Sequence, residues 1–203
     1  MNQLKRPRKL NEPNDNTLLY IPFIVLFIFM AFIAAIDAYI GSTCFGVFVS
    51  GDSMYETVAD GDFVYAQEKQ AMRGDVIIID VKNYREHDHL SGDYIIKRLI
   101  ATEGDSVYCL NGVVHLRRAG ETQFVPLTEP YARDLTTDFT EVLVGEGEIF
   151  FLGDNRLVSY DSRRLGCYKS TDIVGVVPQW SIACKGLTTG WENFRSAVSG
   201  WFR

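Results

Sequence analysis

The sequence has few of the residues that build metal centres and no excess of the positive charge that nucleic-acid binding requires. Its 203 residues include three histidines and four cysteines, and the spacing of Cys44, Cys109, Cys167 and Cys184 matches no zinc-ligand pattern. The formal net charge of -6 argues against a general nucleic-acid binder. No repeat or low-complexity tract is present. We therefore expect no metal, no cofactor and no nucleic-acid partner.

Charge is also missing from residues 18–36, which follow a segment with four basic and two acidic residues. A helix of ~20 residues rises ~30 Å, enough to cross a bilayer core, and Pro22 is tolerated in its first turn. A cleavable signal peptide is the alternative. The apolar run is longer than the ~7–15 residues usual for one, and no clear small-x-small exit site precedes Ala34 to Ala38. We predict a retained single-pass anchor over 18–40.

Basic residues before the anchor place the N-terminal segment, 1–17, in the cytoplasm. The body from residue 41 is then extracytoplasmic, at the cell membrane. In that compartment the four cysteines can form disulfides or remain buried thiols, and the sequence does not choose between the two.

Beyond the anchor, helical periodicity is scarce and short strand-like runs dominate, which predicts a mainly antiparallel β domain over 41–184. Asn111-Gly112 between two apolar runs is a strong signal for a two-residue hairpin. Residues 117–146 are polar and weakly patterned, and we interpret them as an insertion carried on the sheet rather than part of its core. The predicted strands are Phe63–Ala66, Val76–Val81, Tyr94–Ala101, Ser106–Leu110, Val113–Leu116, Glu148–Leu152 and Ile173–Val177.

The tail, 185–203, places tryptophan and phenylalanine at helical spacing among charged residues. Such an amphipathic helix suits a membrane interface, and it equally suits a helix packed on the body. Both interpretations stay open from the sequence.

Ser53 is the most informative position, because it follows the end of the apolar run by about a dozen residues, in Gly51-Asp52-Ser53-Met54. A serine hydroxyl is a poor nucleophile until a base accepts its proton. His87-Asp88-His89 falls in a polar loop, where a surface role is favoured over metal binding. His115 lies in a predicted hairpin strand, as a half-buried partner.

Lys97 is the better candidate for the base. In Tyr94–Ile100 the strand period of two places Lys97 between Ile95 and Leu99 on one face, with Arg98 on the other. Apolar neighbours desolvate the amine and lower its pKa, and only a neutral amine accepts a proton. The alternative is an edge-strand lysine whose amine reaches water. The segment Gly153–Arg163, rich in charges and hydroxyls directly after an apolar strand, favours a site.

Four segments in order resemble the conserved motifs of bacterial type I signal peptidases of the Gram-positive type. They are Ser50-Gly51-Asp52-Ser53-Met54, Arg73-Gly74-Asp75-Val76, Tyr94–Arg98 leading to Gly104–Val107, and Gly153–Arg163. The resemblance covers about Ser50 to Val177. It implies a coiled antiparallel β-sheet domain behind one N-terminal transmembrane helix.

The resemblance also implies the roles of individual residues. Ser53 is the expected nucleophile and Lys97 the general base of a Ser/Lys dyad. Ser159 is expected to orient the lysine, and the Ser53 amide to hold the oxyanion. The remaining supporting residues are Met54 after the nucleophile and an ion-pair scaffold of Asp161, Arg98, Arg163 and Asp154.

One position departs from the family pattern. The resemblance implies a proline two residues after Met54, where this chain has Glu56. A carboxylate close to Lys97 would raise the pKa of the amine, so we expect Glu56 to point to solvent. Because proline stiffens a turn, the pattern predicts that Glu56→Pro holds or raises activity.

The resemblance implies a membrane-bound, monomeric endopeptidase that removes signal peptides from exported preproteins after small residues at -3 and -1 (Ala-x-Ala). Its partners are then preproteins and membrane lipid. The alternative is a catalytically weak relative that binds exported or pilus proteins during assembly. Such relatives tend to lack the serine or the lysine, and Glu56 is the one feature in favour of that alternative.

Overall fold

The computed structural model describes residues 17–84 and 93–200, so His87-Asp88-His89 lies outside the described residues. Its contacts divide the chain into two units, 1–43 and 44–203. Helix α1 (Thr17–Thr43) belongs to the first. Over Leu19–Thr43 it is long and apolar enough to cross a membrane, with a mean hydropathy of 2.8. The predicted apolar helix is confirmed, although Pro22 lies beyond its first described turn.

The second unit is mainly β. Its strands are β1 (Phe45–Phe48), β2 (Phe63–Ala66), β3 (Val76–Asp80), β4 (Tyr94–Thr102), β5 (Ser106–Leu110), β6 (Val113–Arg117), β7 (Val125–Pro126), β8 (Phe139–Leu143), β9 (Glu148–Leu152), β10 (Tyr168–Lys169) and β11 (Ile173–Val177). The helices of this unit are α2 (Ser162–Leu165), α3 (Gln179–Ala183) and α4 (Lys185–Gly200), with short 3-10 turns at Lys82–Tyr84 and Ser170–Asp172.

The strands form three antiparallel sheets. β1 pairs with β2, the order β10-β9-β4-β3-β11 forms a five-stranded sheet, and β7-β6-β5-β8 forms a four-stranded one. A bridge between Gln67 and Val176 joins the two-stranded sheet to β11. The predicted antiparallel β architecture is therefore confirmed.

All seven predicted strands are present, with ends that differ by at most one residue. The hairpin is confirmed as well: Leu110 pairs with Val113 across a two-residue loop. Asn111 has φ 53° and Gly112 has φ 80°, as a type I′ turn requires.

The interpretation of residues 117–146 needs a correction. The segment contributes β7 and β8, and β8 pairs with β5 as an edge of the four-stranded sheet. Val144, directly after β8, is buried in the same cluster as Val107 and Phe150. This stretch is therefore partly core, because the sheet needs its apolar side chains even though threonine and charge separate them in sequence.

β3 explains how the core positions the turn that carries Ser53. Its side chains are buried on both faces, which is why its sequence is a continuous apolar run. Ile77 and Ile79 pack with Leu99 on one face, and Ile78 packs with Met54 on the other. The residue after Ser53 is thus anchored in the core.

The cysteines are free thiols in this structure, and all four lie in the part of the chain that it describes. His115 is half-buried, as expected. Its ring stacks on Tyr108 with centroids 4.7 Å apart.

Candidate active site

Ser53 begins a turn, 53–57, between β1 and β2. The turn is closed by Val58 N–H donating to the Met54 carbonyl at 2.9 Å. Met54 and Val58 are fully buried, while Ser53 is half-buried. The buried side chains of Met54 and Val58 therefore fix the turn, while the Ser53 hydroxyl stays accessible.

The end of β9 holds the same turn from the other side. The Asn155 N–H donates to the Ser53 carbonyl at 3.0 Å, and Asn155 Nδ2 donates to the Asp52 carbonyl at 3.1 Å. A Cβ at Gly153 would lie 2.5 Å from the Ser53 carbonyl oxygen. Glycine at 153 is therefore what allows this close approach.

Lys97 projects from β4 onto the serine. Its Nζ donates to Ser53 Oγ at 2.6 Å and to the Ile96 carbonyl at 2.9 Å. Lys97 is only 5% exposed, which excludes the lysine that reaches water. Burial lowers the pKa of Lys97 to about 8, against the opposing charges of Asp161 and Asp154. A substantial fraction of the amine is therefore neutral near pH 8.

The neighbouring residue on β4, Arg98, forms a buried ion pair with Asp154. Its Nε lies 2.8 Å from Asp154 Oδ1 and its second contact, to Oδ2, is 2.5 Å. Thr57 Oγ1 also donates to Asp154 Oδ2 at 2.5 Å. The pair thus links β4, the segment after β9 and the end of the Ser53 turn.

Asp161 and Arg163 form a second ion pair, so the expected scaffold consists of two separate ion pairs. Arg163 Nε and Nη2 donate to the Asp161 carboxylate at 2.8 and 2.9 Å. The same carboxylate accepts the Gly153 N–H at 3.0 Å. Both pairs therefore hold the segment that packs against the serine and lie close enough to act on the charge of Lys97.

Ser159 is buried beside Gly153. Its hydroxyl has no hydrogen-bond partner within the described part of the chain. The bond from Ser159 to Lys97 that the resemblance implies is therefore not formed in this structure, and the orienting role of Ser159 stays a prediction.

Glu56 is exposed, which agrees with the expectation that it points to solvent. Its φ is 50°, a left-handed conformation that proline, fixed near -65°, does not adopt. This backbone therefore argues against the expectation that Glu56→Pro holds or raises activity, and the effect of the substitution stays a prediction.

Lys185, the first residue of α4, supports the same part of the turn. Its Nζ donates to the carbonyls of Glu56 at 3.1 Å and Thr57 at 2.8 Å, and lies 3.6 Å from Asp62. Sequence reasoning missed this residue, because nothing local relates it to a turn 128 positions earlier.

Arg156 was also missed as a structural residue. Only 1% of it is exposed, and it pairs with Glu129 at 2.7 Å. Its Nε donates to the Gly153 carbonyl at 3.0 Å. The sequence offers one signal for this role, which is that Arg156 lies within the charged segment after β9. Its partner could not be anticipated, because Glu129 belongs to the stretch assigned to an insertion.

A cavity of about 610 Å³ opens over Ser53 and Lys97. It is lined by residues 47–53 and 93–97, together with Ile78, Val158 and Tyr160. β4 pairs with β9 only from Arg98 onward. Before Lys97, the edge of β4 that faces away from β3 is paired with none of the described strands. An extended peptide can add to such an edge with its carbonyl beside the serine.

Comparison with known proteins gives consistent matches. A family model described as "Signal peptidase, peptidase S26" matches residues 20–180. A signal peptidase I of Bacillus caldolyticus is 34% identical over 140 residues, 64% of this chain and 74% of that protein. Signal peptidase I U of Bacillus subtilis is 33% identical over 144 residues, 63% of this chain and 70% of the relative. A crystal structure of a signal peptidase I from Enterococcus faecalis is 27% identical and superposes with a TM-score of 0.43 over 54% of this chain and 98% of that one.

Proposed function

Because the chain belongs to the signal peptidase family and is thus a signal-peptide-cleaving serine peptidase, we propose that Ser53 and Lys97 are its catalytic dyad. The observation that carries the proposal is the contact of 2.6 Å between Lys97 Nζ and Ser53 Oγ. Burial lowers the pKa of the same amine to about 8. Distance and protonation state therefore both suit proton transfer between the two groups.

The reaction begins with neutral Lys97. Its lone pair accepts the Ser53 proton as Oγ attacks the scissile carbonyl carbon, which gives a tetrahedral oxyanion and a lysine ammonium. The ammonium then protonates the leaving amine, the C–N bond breaks, and the mature protein departs. The signal peptide remains as an ester on Ser53.

Deacylation repeats the same proton transfers with water. Lys97, neutral again, accepts a proton from the attacking water and returns it to Ser53 Oγ as the ester bond breaks. The Ser53 amide stabilises the oxyanion in both halves, and such a donor can contribute ~3 kcal/mol. The pairs Arg98–Asp154 and Asp161–Arg163 hold the geometry, and Ser159 is the proposed positioner of the lysine.

The substrates are exported preproteins with small residues at -3 and -1. In an extended peptide paired to the free edge of β4, these two residues point to the same side. Val47, Val49 and Ile96 belong to one apolar cluster and line the cavity, so we expect the pockets for these two residues to be apolar. The proposed enzyme is a monomer, because the dyad and its supporting residues lie within one chain and need no second copy to complete the site.

The chain is anchored in lipid by α1, with its N-terminus in the cytoplasm and the β unit outside. The basic residues before the anchor support this orientation. Ser53 follows Thr43 by ten residues, which limits its distance from the end of α1 to about 35 Å. The serine therefore stays near the membrane surface, where signal peptides emerge.

We expect the purified full-length chain in detergent to cut a preprotein with an Ala-x-Ala site at one bond, directly after the second alanine. Substituting that alanine with leucine should lower kcat/KM by about a hundredfold or more, because the larger side chain does not fit a shallow pocket. Mass spectrometry of both products locates the bond. Absence of any cleavage, with preprotein still bound, would instead support the assembly-factor alternative.

The pH dependence of kcat/KM is expected to rise with pH and to level off above about 8. Burial lowers the pKa of Lys97 to about 8, so the amine gains its accepting lone pair as the pH passes that value. Single-turnover cleavage of a substrate without titratable groups near the scissile bond, measured from pH 6 to 10, gives the profile. A limb centred near 6.5 would point to a histidine base instead.

A further inference from the structure

Residues 129–136, between β7 and β8, form a strap whose two ends bind one buried arginine. The Arg156 guanidinium donates to both carboxylate oxygens of Glu129, at 2.7 and 3.0 Å, and to Thr136 Oγ1. Only 1% of Arg156 and 3% of Thr136 are exposed. Opening the strap would leave a buried charge without its partner, which is costly. The two ends therefore hold the strap in place.

The middle of the strap covers the Arg98–Asp154 pair. The centre of the Tyr131 ring lies 3.8 Å from the guanidinium carbon of Arg98. The edge of the same guanidinium donates to Asp154 and to the Gly74 carbonyl. The Arg133 N–H donates to the Asp154 carbonyl at 3.1 Å. The strap therefore contacts both partners of the pair, and the ring lies on a face of the guanidinium that its hydrogen bonds leave open.

Tyr131 is well placed to hold a cation. Its hydroxyl donates to Glu129 Oε1 at 3.1 Å, and burial, together with the Glu129 charge, raises the pKa of Tyr131, so the phenol stays neutral. A ring attracts a cation over its face more strongly in a desolvated site than at the surface. The Arg98 side chain is 6% exposed, whereas that of Arg117, which lies over the Phe124 ring at 4.7 Å, is 35% exposed. We therefore expect the contact of Tyr131 to be the stronger of the two.

We propose that Tyr131 is a positioning residue of the dyad, because its ring keeps the Arg98 guanidinium on Asp154 beside Lys97. Without the ring, water reaches one face of the guanidinium, and Arg98 is free to leave Asp154 for solvent. The effect on cleavage rests on the proposed function, whereas the hold of Tyr131 on Arg98 does not.

The position of Arg98 matters because the protonation of Lys97 responds to nearby charge. Burial lowers the pKa of Lys97 to about 8, and Asp161 and Asp154 oppose that shift. An Arg98 that leaves its place would remove a like charge and leave the Asp154 carboxylate uncompensated, and both changes raise the pKa of Lys97. The charged side chains around Lys97 come from β4, from the segment after β9 and from the cavity lining: Arg98, Asp154, Asp161, Arg163, Asp52 and Asp93. Tyr131 acts on this set through Arg98.

The test compares Tyr131→Leu, which removes the ring, with Tyr131→Phe, which keeps it, in the full-length chain in detergent. Phe124→Leu is the matched control, since it removes a ring from Arg117 on the four-stranded sheet. For Tyr131→Leu we expect the midpoint of the kcat/KM profile to rise by about one pH unit, so that cleavage falls about tenfold at pH 7 and less than about twofold at pH 10. The other two variants should keep the midpoint.

An unchanged profile in Tyr131→Leu, or a loss that is equal at pH 7 and pH 10, would overturn the proposal, because a merely structural residue does not move the midpoint. A shift of the same size in Tyr131→Phe would also overturn it, since the effect would then belong to the hydroxyl and Glu129. Tyr131→Met repeats the test with a flexible side chain that fills irregular space, in case the leucine variant does not fold.

Direct titration of Lys97 separates the hold on Arg98 from the proposed function. The chain with Ser53→Ala and with lysine labelled by ¹³C at Cε gives the pKa of Lys97 by NMR, and Lys97→Met assigns the resonance. We expect Tyr131→Leu to raise that pKa and Phe124→Leu to leave it unchanged. If the unmodified chain cleaves no preprotein, the proposed function fails while this titration still decides the hold on Arg98. If it cleaves and the pKa does not move, the hold on Arg98 is refuted and the dyad stands.

Discussion

Replacing Lys97 with methionine, or Ser53 with alanine, is expected to lower the rate of preprotein cleavage by at least about a thousandfold. Methionine keeps an unbranched apolar side chain and removes only the proton acceptor. Alanine removes the nucleophile and leaves the Met54 anchor untouched. Because the two groups act as one unit, the double variant should be no slower than either single variant. Single-turnover cleavage of an Ala-x-Ala preprotein measures all three.

Lys69→Met is the matched control, since Lys69 is exposed and belongs to no proposed site, and it should keep the unmodified rate. A Lys97→Met variant that keeps more than about a tenth of the rate would exclude the lysine as the base. A loss of activity caused by unfolding would be recognised by a lowered Tm. For Lys97→Met the opposite change in Tm is expected.

The stability effect of Lys97→Met follows from the lowered pKa of the lysine. The folded protein holds this amine with a pKa of about 8, below the value near 10.4 of an unfolded chain. Between these values the unfolded state binds more protons, so stability rises with pH through this window. The cost of burying the charge is fully present below pH 8 and is lost above ~10.4. Lys97→Met should therefore raise Tm at pH 7 and lose that advantage by pH 10.5.

Features that depend on local periodicity could be predicted from the sequence. The alternation in Tyr94–Ile100 was sufficient to predict that Lys97 is flanked by apolar residues on a strand. The turn at Asn111-Gly112 was predictable because both positions need a positive φ. The charged run after β9 indicated that Asp154 and Asp161 support a site, without indicating which arginine each one binds.

Features that depend on contacts between distant segments could not be predicted. β8 carries only weak alternation, and it becomes a strand because β5 offers an unpaired edge. The role of Lys185 depends on where α4 meets the turn, and the outward orientation of the apolar side of α4 depends on two threonine bonds to Phe63. An amphipathic pattern identifies the two faces of a helix but does not determine which of them packs.

The backbone at Glu56 is the feature for which the family pattern predicted the opposite of what the structure contains. Glu56→Pro is expected to lower the stability of the β unit by about 2–4 kcal/mol, because its φ of 50° is closed to proline. Proline also restricts the preceding residue, Tyr55, which lies inside the same turn. Thermal unfolding should show a Tm lowered by about 5–15 °C.

Activity should fall with stability in Glu56→Pro, since moving the turn shifts Ser53 away from the Lys97 amine at 2.6 Å, and small displacements of reacting groups are costly. Glu56→Gly is the matched control: it removes the same carboxylate but accepts φ 50° without strain, and it should keep both Tm and rate. Equal losses in the two variants would assign a role to the carboxylate itself.

A proline variant with unchanged Tm and rate would mean that the turn adopts a second backbone arrangement, in which the carbonyls of residues 56 and 57 no longer accept hydrogen bonds from Lys185. In that case Lys185→Met, harmful in the unmodified chain, should become neutral in the Glu56→Pro background.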